Sequence, residues 1–232
     1  MKSHKKKEKV YVYRSYERFW HWTQALLMII LMVTGFEIHG NISFFGFEYA
    51  VSIHSTSAII LVVLTVFTIF WHLSTGEWRQ YIPTRQNIKA QLHYYVFGIF
   101  EDAPHPFRKT KLSKLNPLQK LVYAGLKVFI IPLMILTGLA YMYYRYPHYN
   151  KIAQLNIAGL KVIALLHTFG AFLLVAFFLA HLYLMTTGET VTSNLKAMVT
   201  GYEELETDES KEDKHVIISE KQETLSEKEA VS

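Results

Sequence analysis

Apolar residues along this 232-residue chain fall into blocks, with charges confined between and beyond them. Four blocks are long enough to cross a hydrocarbon core, which takes about 20 helical residues. They cover residues 19–38, 49–73, 118–144 and 157–185. The pattern predicts an all-α integral membrane four-helix bundle. The third block carries Lys120 and Lys127 toward its start, where long side chains snorkel to the surface. It also holds Pro132, which a membrane helix tolerates when neighbours satisfy the freed carbonyl.

The basic residues set the orientation. Seven lie in the tail 1–18, seven in the connection 74–117, none between His39 and Glu48, and only Arg145 and Lys151 between the last two blocks. By the positive-inside rule both termini and the middle connection face the cytoplasm. The N-terminal tail shows no small-residue cleavage site and reads as retained, not as a signal peptide. The connection "WRQYIPTRQNIKAQLHYYVFGIF" mixes aromatics and cations like a segment lying on the inner leaflet. A plain basic loop fits equally well. Three regions follow: a basic tail 1–18, the bundle 19–185 and a cytoplasmic tail 186–232. From Tyr202 onward that last tail holds eleven acids against four lysines and is expected to be disordered. The surface partner is the lipid bilayer, not nucleic acid.

Overall composition adds one exclusion. The chain is 51% apolar and 15% aromatic, carries a net charge of +5, and contains no cysteine. Disulfides, thiolate-bound zinc, Fe–S clusters and covalently attached c-type haem are thereby excluded within this chain. A redox metal must be held by histidine, methionine or carboxylate.

Eleven histidines are present, and five of them lie inside the blocks: His21, His54, His72, His167 and His181. A lone buried histidine is usually a satisfied core residue, but five in four spans each carry an insertion cost. His167 and His181 are fourteen residues apart, close to four full turns, so they share a helix face about 21 Å apart along the axis. Two ligands on one face at two depths suggest two stacked haems, each needing a second histidine at matching depth. His54 matches His167. For the inner level, His21 and His72 compete. His54 to His72 spans about 27 Å, longer than the fourth-block pair, which favours His21 with His181. His72 is then a polar boundary residue, near a propionate. Gly35, Gly138 and Gly170 let a flat macrocycle approach a backbone, although small residues also serve helix packing. Trp20 and Trp22 read as interfacial anchors. Arg18, Lys120 and Lys127 are candidates to neutralise propionates or a quinone headgroup. A transporter or proton relay built on the histidines is the rival reading, but it requires acidic partners that are nearly absent from the spans.

The stretches "ERFWHW…LMVTGF", "SIHSTSA" and "LLHTFGAFLLVAFFLAHLYL" resemble the b-type cytochrome subunits of membrane-bound Ni–Fe hydrogenases. The same superfamily includes the formate dehydrogenase γ-subunit and the thiosulfate reductase cytochrome b. The resemblance covers roughly residues 10–202, including "MVTGYEE" after the last block. It implies a four-helix bundle with two b haems that links a periplasmic redox enzyme or multihaem cytochrome to menaquinone or ubiquinone. Carried over by position, His21 and His181 hold the cytoplasmic-side haem, and His54 and His167 the periplasmic-side haem. In the formate dehydrogenase relatives an Asn and a Gln open the third helix at the quinone site, as Asn116 and Gln119 do in "KLNPLQK". An N-cap with proline in the first turn accounts for the same residues.

Overall fold

A computed structural model describes residues 6–83, 88–101, 114–145, 157–188 and 190–207. Strand β1 (Lys6–Tyr11) leads into α1 (Ser15–Ile38) and α2 (Phe47–Thr75). A 3-10 turn over Glu77–Tyr81, α3 (Ile88–Val96) and a second 3-10 turn over Gly98–Glu101 fill the middle connection. The third long helix is α4 (Pro117–Gly125), a π-helical stretch (Leu126–Ile130) and α5 (Ile131–Arg145) in continuous succession. Then come α6 (Ile157–Met185), α7 (Ser193–Thr200) and β2 (Tyr202–Thr207). Four helices are long and apolar enough to span a membrane, as the block pattern predicts.

The π stretch has an identifiable cause. Pro132 has no N–H, and its ring would collide with the carbonyl one turn earlier in a regular helix. Widening the turn ahead of it, with the Ile131 N–H donating to the Leu126 carbonyl, makes room without breaking the helix.

The long helices form two hairpins, α1 with α2 and α5 with α6. The first is closed by Glu37 at the end of α1. Its Oε1 accepts from the backbone N–H groups of Phe44, Phe45 and Gly46 at 2.9, 2.7 and 2.8 Å, which fixes the connection into α2. Few residues of the four spans are buried within the chain. Their outer faces are apolar, as lipid requires, and their inner faces surround a cavity of about 2030 Å³.

The tails correct one expectation. Residues 202–207 are not disordered: β2 pairs antiparallel with β1, in a register that sets Lys9 opposite Glu204 and Tyr11 opposite Tyr202. The register sets an acid of one tail opposite a lysine of the other, and opposed charges and aromatics stabilise such cross-strand pairs. The rings of Tyr11 and Tyr202 lie 5.1 Å apart. The expected disorder from 208 onward concerns residues outside those described. The "MVTGYEE" segment clamps this ribbon to the bundle. Gly201 ends α7 in the left-handed region (φ 87°), and its carbonyl accepts from the Val12 and Tyr13 N–H groups. A Cβ at Gly201 would come within 2.6 Å of the Tyr11 ring and 2.8 Å of the Tyr13 carbonyl oxygen. Gly201→Ala is therefore expected to weaken the ribbon by about 1–2 kcal/mol. Limited proteolysis within 6–11 should then speed up about tenfold; an unchanged rate would show that the cap does not hold the strand.

Candidate functional site

Two pairs of imidazoles face each other across the cavity. His21 of α1 stands opposite His181 of α6 with ring centroids 6.1 Å apart, and His54 of α2 opposite His167 of α6 at 6.4 Å. The first pair lies toward the end of the bundle that carries the tails, the second toward the opposite end. His72 joins neither pair. His21, and not His72, is the ring that neighbours His181.

These separations suit a particular occupant. Two metal–imidazole bonds of about 2 Å, plus about 1 Å from each nitrogen to its ring centre, add up to roughly 6 Å. Each pair therefore has room for one iron that both imidazoles would hold. Among the described residues no cluster of three or more His, Cys, Asp or Glu exists to hold an ion by side chains alone. Two nitrogens per site suit a metal whose remaining bonds would come from a macrocycle. The cavity, about 2030 Å³, exceeds the roughly 300–1,000 Å³ of a pocket for one small molecule. The residues fit haem.

The opposite-end pair has a built surround. Thr34, fully buried on α1, places Oγ1 3.0 Å from His54 Nδ1, and Thr137 on α5 places Oγ1 2.9 Å from His167 Nδ1. Each threonine is followed by a glycine against the same imidazole: a Cβ at Gly35 would lie 3.6 Å from His54 Cε1, and one at Gly138 3.5 Å from His167 Cε1. Gly170 differs. It packs against Met134 and Leu133 of the third helix, so it serves helix packing. The tail-end pair is flanked by aromatics, with Phe177 stacked on His181 and the Trp22 ring edge-on to His21. Among the described residues neither His21 nor His181 has a hydrogen-bond partner, and the His21 Nδ1 is buried.

Several residues near the span ends have other partners. Arg18 turns away from the cavity, and its guanidinium donates to the Val199 carbonyl at 2.6 Å, tying α1 to α7. Trp22 does the same to Met198 at 3.2 Å. Trp20 is an inward residue, not a lipid anchor, edge-on to His72 and beneath Lys127. His72 donates from Nδ1 to the Thr68 carbonyl at 2.7 Å, and its Nε2 faces Lys127 Nζ at 3.5 Å. Lys127 lies over the Tyr81 ring, 3.2 Å from its centroid.

Asn116 and Gln119 form a reciprocal cap on α4. The Asn116 Oδ1 accepts from the Gln119 N–H at 2.8 Å, and the Gln119 Oε1 from the Asn116 N–H at 3.0 Å. Asn116 Nδ2 also donates to the Tyr95 hydroxyl. Both residues line the cavity. Around them the middle connection closes the tail end of the bundle. Lys114 bonds Glu17 at 2.7 Å and approaches Glu77. Burial pushes the phenols of Tyr13, Tyr81 and Tyr95 above their ordinary range, so they remain neutral hydrogen-bonding groups there. Sequence reasoning missed Thr34, Thr137, Glu37 and Lys114; the one signal available was the Thr-Gly dipeptide repeated in the first and third blocks.

Four spanning helices with two imidazole pairs opposed across a shared interior define a membrane cytochrome of the b type. The chain belongs to the prokaryotic cytochrome b561 family, whose model matches residues 12–201. It is 31% identical over 201 residues to the cytochrome YdhU of Escherichia coli (strain K12), covering 84% of this chain and 75% of that one. It is also 23% identical over 219 residues to a Ni/Fe-hydrogenase 1 B-type cytochrome subunit of the same strain, covering 83% and 89%. No solved structure matches the chain. The protein is thus a multi-pass prokaryotic membrane cytochrome that carries b-type haem and serves in electron transfer. The similarity to hydrogenase-associated cytochromes expected from the sequence is present.

Proposed function

We propose that the chain is a di-haem subunit passing electrons between a redox enzyme at the end of the bundle opposite the tails and quinone at the tail end. The observation that carries this reading is the pair of opposed imidazoles at each of two levels. Bound there, haem iron supplies reversible one-electron carriage. With His21/His181 and His54/His167 each holding an iron, two imidazoles would leave it no site for a small molecule, so the chain's histidines favour electron carriage over activation. The charge count puts the tails in the cytoplasm, hence His54 and His167 on the periplasmic side of an inner membrane. A hydrogenase cytochrome subunit among the relatives supports a redox-enzyme partner there; a formate dehydrogenase, thiosulfate reductase or multihaem cytochrome would fit the same role. Two haems per chain are expected from a pyridine haemochrome assay against protein mass. A ratio of one or zero would overturn the reading.

The quinone, menaquinone or ubiquinone, belongs near Asn116 and Gln119. Asn116 is largely committed to the cap and to Tyr95, whereas the Gln119 Nε2 has no partner among the described residues. It is the amide left to donate to a quinone carbonyl, on the side where protons are available. Gln119→Leu is expected to slow haem oxidation by a quinone analogue more than tenfold while both haem spectra stay intact. An unchanged rate would move the site elsewhere.

A further inference from the structure

The hydroxyls of Thr34 and Thr137 have a single proton each, and both are already used. Thr34 Oγ1 donates to the Ile30 carbonyl at 2.7 Å, and Thr137 Oγ1 to the Leu133 carbonyl at 2.6 Å. Toward the facing histidines each oxygen is left only as an acceptor. His54 and His167 must therefore carry their proton on Nδ1 and donate it to threonine, which leaves both Nε2 lone pairs free for a metal. The arrangement occurs twice: the Thr34–Gly35 dipeptide of α1 grips the histidine of α2, and the Thr137–Gly138 dipeptide of α5 grips that of α6. The glycine after each threonine lies beside the same imidazole, where a Cβ would meet the ring at ordinary contact distance. Among the described residues the tail-end histidines have no such acceptor.

We propose that Thr34 and Thr137 are positioning residues that lock both imidazoles of the His54/His167 site and make it the lower-potential of the two sites. This inference rests on the di-haem reading above. A hydrogen bond donated from Nδ1 raises the basicity of the ligating nitrogen. A more basic ligand stabilises the oxidised, more positive ion, so this site releases its electron more readily than the His21/His181 site. With haem held by both histidine pairs, an electron given up by a one-electron donor docked at that end would pass downhill to the His21/His181 site, the donor being oxidised. The two tethers would thereby favour passage from the end opposite the tails toward the tails.

The test is a potentiometric titration of the purified full chain, following haem absorbance. The wild type should show two waves, and His54→Ala should delete the lower one, assigning it. Thr34→Val and Thr137→Val keep the side-chain shape but remove the acceptor; each should raise the lower wave, the double variant further, with the upper wave unmoved. A tenfold change in the reduction equilibrium reads as 59 mV for this one-electron couple. Thr34→Ser and Thr137→Ser should stay near wild type. Loss of the lower-potential haem alone in the valine variants, with retention in the serine variants, also supports the positioning role. Unmoved waves with both haems bound would overturn it, as would movement of the upper wave or His54→Ala deleting the upper wave. If His54→Ala removed no haem, the ligand assignment itself would fail, a different outcome from failure of the tethers.

Discussion

Replacing either His54 or His167 by alanine is expected to remove one and the same haem and to leave the other partly bound. The two rings face one interval of 6.4 Å, so each variant deletes half of one coordination site while the other pair, 6.1 Å apart, keeps both of its nitrogens. Changing even an outer-shell partner of a metal-bound histidine typically lowers affinity about 10–100-fold, and deleting the ligand itself should exceed that. His21→Ala and His181→Ala should delete the other haem. His72→Ala should delete neither, because that ring is committed to the Thr68 carbonyl and Lys127. Absorption spectra of the five variants, with haem counted per chain, check the pattern. If His72→Ala removed a haem and His21→Ala did not, the pairing along α2 would be the correct one.

Glu37→Ala should produce the largest loss of stability that does not touch a histidine. Glu37 is 5% exposed, and its Oε1 satisfies three backbone donors of the connection into α2. Removing it leaves all three without their acceptor, and the segment offsets only part of that loss by opening to water, so a marked fall in stability is expected. Glu37→Gln keeps a carbonyl oxygen in the same place and should retain most of the stability. The midpoint of thermal haem release separates the cases. Equal midpoints for Glu37→Ala and wild type would mean that the connection holds its shape without this acceptor.

The spans were legible because a membrane demands unbroken apolar length: the expected blocks 49–73 and 157–185 reappear as Phe47–Thr75 and Ile157–Met185. The imidazole pairs were legible because helical periodicity fixes both face and depth. What periodicity cannot express is a hydrogen bond between helices. Thr34 meets His54 across 20 residues and Thr137 meets His167 across 30, and only their shared Thr-Gly dipeptide hints at the relation. The contacts of Arg18 and Trp20 were not legible for a related reason. Position near a span end does not fix the rotation of α1, which sends one to α7 and the other inward. The terminal ribbon was missed because each tail was weighed by its own composition, while its order comes from complementary charge at the far end of the chain.

The interior between the hairpins is lined by side chains from all four long helices but is not filled by them. In most bundles the same residues that build the walls also supply the contents. Here the walls are encoded and the contents are delivered, so thermodynamic linkage makes the fold's resistance to unfolding a function of cofactor supply: at a free concentration 100 times the dissociation constant, a bound group adds about 2.7 kcal/mol. Cells short of iron or porphyrin would then hold less of this chain at constant synthesis, because the underfilled form is the one that proteases reach first.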